Sequence, residues 1–361
     1  LDSTLCSIAI FRALQLGDLL VAVPALRALR AQFPAAEITL IGLPWAAAFV
    51  ERYRCYLDHF VEFAGYPGLN EVVVDEERTQ RFIEEQRARN YDLVLQMHGS
   101  GQSSNPLALA LHGKRTAGYY KGRPPSGLTL AAEYPETLPE VQRNLGLAAL
   151  VGCSELDPRL EFPLQAQDQW EAAALLAPLV AIDRPVIGLH PGARPAARRW
   201  PAEYFARVAD TLAQRYAAQI ILTGVEADET TVLDVLSYMH VPALNLVGKT
   251  SLGGLAALLS RLDLFVSNDT GPAHIAEAVC CPGITLFGPA DYRRWAPLDQ
   301  TIRHALRRPV PCSPCDYWEC PIDHRCLRWL APSEVIASAE KLLATCSRDN
   351  RDNRGMQRSH A

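Results

Sequence analysis

The sequence predicts an α/β protein built from two doubly wound, parallel-sheet domains. Three observations carry that expectation. Short apolar runs alternate with helical stretches along most of the chain, the order of a parallel sheet covered by helices. A chain of 361 residues is long for one hydrophobic core and comfortable for two. A Pro-bearing, mostly polar stretch, Asp157–Gln169, divides it near the middle, which places the domains at residues 1–165 and 166–346. The polar run 347–361 has too little apolar content to pack and is expected to be disordered.

From the N-terminus, Ile8–Phe11 is the first expected strand, and Arg12-Ala13-Leu14-Gln15-Leu16-Gly17-Asp18 is the turn that follows it. Leu19, Leu20, Val23, Leu26 and Leu29 then recur near helical spacing and predict a helix. Further strands are expected at Ile38–Ile41, Phe60–Phe63, Val72–Val74 and Leu93–Leu95, with a helix over Glu76–Arg89. The second half repeats the pattern, with strands near Val186–Leu189, Ile220–Thr223, Leu244–Val247, Leu264–Val266 and Ile284–Phe287. A last helix is expected over Pro332–Ala344. No short-period repeat is visible.

Hydrophobic residues make up 49% of the chain and charged residues 21%, the balance of a soluble globular protein. No apolar run approaches the ~20 residues needed to span a bilayer. Leu1-Asp2-Ser3-Thr4-Leu5-Cys6 lacks the basic region and apolar stretch of a signal peptide, so a cytoplasmic location is expected. A net charge of −5 argues against a nucleic-acid binder. Four of the ten cysteines are clustered, Cys312-x-x-Cys315 followed closely by Cys320 and Cys326. Four such thiols can hold a structural zinc. The last two spacings are not those of the common zinc ribbon, and reduced thiols can also stay unpaired, so both readings remain open.

The densest chemistry lies in Phe265–Pro289. An apolar run ends in the polar turn Asn268-Asp269-Thr270-Gly271-Pro272, a helix is expected over Ala273–Val279, and a second apolar run stops at Gly288-Pro289. The turn offers backbone N–H groups, the Thr270 hydroxyl and a helix N-terminus, all suited to phosphate. Asp269 and His274 add an acceptor and a titratable ring beside the same helix end. The competing reading is a crossover whose polar turn merely caps its helix. The whole string resembles the signature of glycosyltransferase family 9, which contains the ADP-heptose:lipopolysaccharide heptosyltransferases. In that family an Asp-Ser/Thr-Gly-x-x-His turn and a following Phe/Tyr-Gly-Pro turn line the sugar-nucleotide pocket. The matching residues here are Asp269, Thr270, Gly271, His274 and Gly288.

The resemblance runs from Ile8 to about Leu343 and implies a GT-B arrangement, two Rossmann-like domains facing each other across a cleft. Arg12-Ala13-Leu14-Gln15-Leu16-Gly17-Asp18 is similar to the family's Arg-x-Ser-x-x-Gly-Asp loop, with Leu14 where a Ser is common. That match assigns Asp18 as the base that deprotonates the acceptor hydroxyl, and Arg12 and Gly17 to the acceptor side. A helix cap is the plainer role for Asp18. Arg198 stands two residues before Trp200-Pro201, where the family has a basic residue on the donor diphosphate, usually Lys. A guanidinium grips phosphate as a planar fork rather than as a point charge. The acid for the ribose hydroxyls falls near Asp228, with Glu226 close enough to compete. No Asp-x-Asp pair occurs, which fits transfer without a catalytic metal or other required cofactor.

The expected function is therefore inverting, metal-independent transfer of a heptose from ADP-heptose to a lipopolysaccharide inner-core acceptor, a partner that would bring the enzyme to the inner-membrane face. A transferase using another nucleotide sugar, a nucleotide-sugar epimerase on the same fold, and a non-catalytic nucleotide-sugar-binding protein are the rivals. Product analysis separates them.

Overall fold

The computed structural model describes residues 5–179 and 184–345, so the tail expected to be disordered lies outside the described residues. The chain divides into two compact units between Pro163 and Leu164. No helix among the described residues is long and apolar enough to cross a membrane.

The first unit runs β1 (Ser7–Phe11), α1 (Leu16–Leu20), α2 (Val23–Gln32), β2 (Glu37–Gly42), α3 (Ala46–Arg52), β3 (His59–Glu62), α4 (Glu76–Ala88), β4 (Leu93–Gln96), α5 (Asn105–Ala110), β5 (Arg115–Tyr120), β6 (Leu130–Glu133) and α6 (Glu140–Leu150). Its six strands are all parallel, in the order β3-β2-β1-β4-β5-β6. Central strand β1 pairs Ile8 with both Ile38 and Leu93. Ile8–Phe11 are fully buried, as a strand covered on both faces requires.

Two expectations for this unit are corrected. The helix after the first turn is two helices, broken at Val21–Ala22. Pro24 has no N–H to give and a fixed φ, so it is accommodated in the first turn of a new helix. Val72–Val74 is not a strand; Val73 is 90% exposed, and the segment leads into Asp75, whose side chain caps α4.

The second unit runs α7 (Ala166–Leu176), β7 (Val186–His190), α8 (Ala202–Tyr216), β8 (Gln219–Leu222), α9 (Glu229–Tyr238), β9 (Ala243–Asn245), α10 (Leu252–Leu259), β10 (Leu264–Asn268), α11 (Gly271–Ala278), β11 (Gly283–Phe287), α12 (Tyr292–Trp295), β12 (Arg303–Arg307), α13 (Arg325–Arg328) and α14 (Pro332–Thr345). Its parallel strands lie in the order β12-β11-β10-β7-β8-β9, the same topology as the first unit with each strand number raised by six. Ile187, Leu189, Trp200, Phe205, Leu264 and Ile284 belong to its core. In each unit the strand order reverses beside the first strand, between β1 and β4 and between β7 and β10. Loops leaving the carboxyl ends of such a pair are where open α/β sheets bind ligands.

Candidate functional site

At the second unit's reversal point, Ser267 pairs with His190, so the loops after β7 and β10 start side by side. Asn268 joins them. Its Nδ2 donates to Pro191 O at 2.8 Å and Gly192 O at 3.4 Å, while its Oδ1 accepts from Trp200 N at 3.0 Å. The side chain is fully buried, and both ends of its amide are bonded. Trp200, also buried, donates its indole N–H to Leu330 O.

Between those anchors a short 3₁₀ turn, Ala196–Arg198, sets the direction of Arg198. Its Nη1 reaches Asp269 Oδ2 at 3.1 Å and Asp269 O at 3.4 Å. Asp269 is buried, whereas the Arg198 side chain is 35% exposed. Thr270 is the N-cap residue of α11, with extended backbone. Its hydroxyl donates to Asn268 O at 3.3 Å and does not cap a helix N–H. Gly271 opens α11. His274 is buried on the same helix, 3.9 Å from Glu277 and beside Trp295. Asp269 and His274 line one narrow cavity. The structure thus brings Arg198, Asp269, Thr270, Gly271 and His274 together around one helix N-terminus.

Asp228 and Gly288 flank this group. Asp228 is buried and accepts from Val225 N at 3.1 Å, whereas Glu226 is exposed. The Asp228 carboxyl packs on Gly192, where an added Cβ would lie 2.3 Å from Asp228 Cγ. Close by, His190 Nδ1 is 3.0 Å from Thr223 Oγ1. Burial pushes the His190 pKa well below its ordinary 6.5, and the Asp228 charge opposes that shift. Gly288 follows β11, whose Leu286 pairs with Asn268. A Cβ there would collide with Leu327, and Gly288 O accepts from Ser313 Oγ at 2.8 Å. A cavity of about 360 Å³ beside this turn is lined by Phe287, Gly288, Tyr292, Arg307 and Pro314.

Cys312, Cys315, Cys320 and Cys326 do meet around one small cavity. However, among the described residues no group of three or more His, Cys, Asp or Glu is arranged to hold a metal ion. Cys326 is buried, and desolvation pushes its thiol up to about 11. The segment pins the Gly288 turn, through Ser313 and through Cys315 N donating to Pro289 O at 2.8 Å.

At the first unit's reversal point, Asp18 lies in the first turn of α1 and is half-buried. Its Oδ2 accepts from Gln15 N at 3.2 Å, so it caps its helix. Gly17 belongs to the same turn. Arg12 is an internal strut of the same turn. It is 1% exposed; Nε donates to Asp18 O at 2.9 Å, and Nη1 donates to Met97 O and Asn144 Oδ1. Two residues escaped the sequence reading, Asn268 and His98. Asn268 ends the fourth strand of its half and His98 lies two residues beyond the fourth strand of its own, and that position was the signal available.

Two six-stranded parallel sheets of one strand order, with their polar loops at the points of reversal, define the GT-B class. The sequence profile of glycosyltransferase family 9 (heptosyltransferase) matches residues 79–325, and the chain belongs to that family. It is 31% identical over 162 residues to lipooligosaccharide heptosyltransferase 2 of Campylobacter jejuni, a match spanning 44% of this chain and about half of that relative, 51%. It is 25% identical to lipopolysaccharide heptosyltransferase 3 of Escherichia coli K12, over 91% of this chain and 95% of the other. The E. coli ADP-heptose LPS heptosyltransferase II structure superimposes with a TM-score of 0.71 and 20% identity, covering 95% of this chain and 100% of that one.

Proposed function

We propose that the chain transfers a heptose from ADP-heptose to a lipopolysaccharide inner-core acceptor, with inversion and without a catalytic metal. The observation that carries this reading is the Arg198–Asp269 pair at the N-terminus of α11. A guanidinium, a hydroxyl and helix N–H groups at a sheet's reversal point match the charge and size of a diphosphate. The E. coli heptosyltransferase II, whose name includes ADP-heptose, supports that donor.

In this reading Arg198, Thr270 and Gly271 hold the diphosphate, with Asp269 orienting the guanidinium. His274 and Gly288 line the sugar-nucleotide pocket. Asp228 meets the ribose, and the exposed Glu226 is its competitor for that role. Asp18 takes the proton from the acceptor hydroxyl as its oxygen attacks the anomeric carbon. The bond from that carbon to the diphosphate breaks, and ADP leaves. Attack opposite the leaving group inverts the centre. Charge building on the leaving diphosphate is met by Arg198 and the helix terminus, the work a metal does elsewhere. The acceptor places the reaction at the inner-membrane face in the cytoplasm.

The test is incubation of purified protein with ADP-heptose and a core acceptor, with and without a chelator. Release of ADP with an inverted glycosidic product, unchanged by chelation, is the expected result. An isomerised nucleotide sugar would make it an epimerase, and binding without turnover would leave a binding protein. Activity lost on chelation and restored by Mg²⁺ would overturn the metal-independent step.

A further inference from the structure

We propose that His98, backed by Glu71, is the positioning residue for the turn that carries Asp18. The inference rests on Asp18 acting as the base in the reading above. Ala13 N donates to His98 Nδ1 at 3.3 Å, and His98 Nε2 lies 3.1 Å from Glu71 Oε1. A backbone N–H only donates, so Nδ1 accepts and the ring proton sits on Nε2, where it donates to the carboxylate. That hydrogen bond holds the Glu71 carboxyl below its ordinary range, which keeps the acceptor ionised and the tautomer fixed.

The ring is held in the other directions as well. It stacks on Phe11 at 4.9 Å with planes 11° apart. The His98 carbonyl accepts from Ser104 Oγ at 2.7 Å and Gln96 Nε2 at 2.6 Å. The turn from Ala13 to Asp18 is thus tied at its start by His98 and at its end by Arg12, whose Nε holds Asp18 O. Arg12 is locked inside the unit by Met97, Asn144 and Glu140. Through Glu71, His98 also ties this turn to the loop between β3 and α4. Among the described residues the buried Glu71 Oε2 has no hydrogen-bond partner, so the carboxylate's side-chain partner is His98, through Nε2.

A core histidine that only fills space would affect folding alone, so the test separates position from stability. In His98→Ala, kcat should fall by ~10–100-fold, because a small misplacement of a reacting group is enough to cost that much. KM for ADP-heptose should stay unchanged. In His98→Asn, the side-chain oxygen replaces Nδ1 as the acceptor for Ala13 N–H, and kcat should return to within about threefold of the parent. In His98→Gln, the amide sits near Glu71 but away from Ala13, and kcat should stay low. Hydrogen exchange gives a readout independent of activity. The 13–19 segment should exchange faster in the Ala and Gln variants and return to parental protection in the Asn variant. Equal behaviour of Asn and Gln, or unchanged exchange in both Ala and Gln, would overturn the proposal. If the Ala variant does not fold, the Asn–Gln comparison still decides. Normal turnover of Asp18→Asn would sink the base assignment separately, while the exchange result still judges His98.

Discussion

The two units share one strand order, yet they hold their reversal-point loops by different chemistry. In the second unit a neutral amide, Asn268, bonds both Pro191 O and Trp200 N and is fully buried. In the first, an imidazole holds a single N–H, and its other nitrogen leans on a carboxylate that is half-buried. The amide fixes the loops after β7 and β10 into one cradle. The imidazole holds a turn whose functional group, Asp18, is itself already engaged as a cap. The same topology is therefore held by an amide bonded at both ends in one unit and by a histidine backed by a carboxylate in the other.

The strongest way to break this contrast is at Asp18. Asp18→Asn should lower turnover by roughly 10²–10⁴-fold and leave donor affinity nearly intact. Near-normal turnover would reduce Asp18 to its cap and leave the first unit without its chemical role. Next in size is the amide. Asn268→Ala strands Trp200 N and Pro191 O in the interior and should destabilise the protein by about 3 kcal/mol. Chemical denaturation reads this directly. A loss no larger than that of a surface substitution would mean the cradle does not depend on it.

Arg198 sharpens the comparison within the second unit. Arg198→Ala should weaken nucleotide-sugar binding by about 10–100-fold, the range of a charge-assisted hydrogen bond, and Arg198→Lys should recover part of it. Arg199, whose Nε is bonded to Ala193 O, should matter little to the ligand. Equal losses at both positions, read by calorimetry, would remove any special role for Arg198.

The smallest expected effect is one of pH. His190 binds a proton at its ordinary 6.5 when the chain is unfolded, and only at lower pH when it is folded. The unfolded state is therefore favoured as pH falls below 6.5, and the loss continues until the folded value is reached. His190→Asn should flatten stability across that window. Parent and variant curves that stay parallel would assign the acid sensitivity elsewhere.

The strands that read clearly in the sequence are the buried central ones, because β1, β7, β10 and β11 need apolar residues on both faces. Arg115–Tyr120, Leu130–Glu133 and Arg303–Arg307 escaped because strands near a sheet edge tolerate polar residues. The residues proposed for the anion site were legible as a group because Asp269, Thr270, Gly271 and His274 share one turn and one helix. His98 and Asn268 were not, since their partners lie 85 and 77 residues away in the chain. The spacing of Cys312, Cys315, Cys320 and Cys326 likewise foretells that the four thiols meet around one cavity, while the burial of Cys326 comes from its packing and not from that spacing.

Gly192 and Asp228 occupy what is nearly a single allotment of space, with a carboxyl resting where any side chain would have to begin. Position 192 cannot gain a side chain while the acid stays where it is. A methyl at 192 must first displace the acid, and moving the acid also frees the Val225 N–H that it caps. Across the family's history, change at 192 should follow loss of the acid and never precede it. A lineage that acquires a side chain at 192 is then one that has already given up this carboxylate, and with it the ribose contact it is assigned.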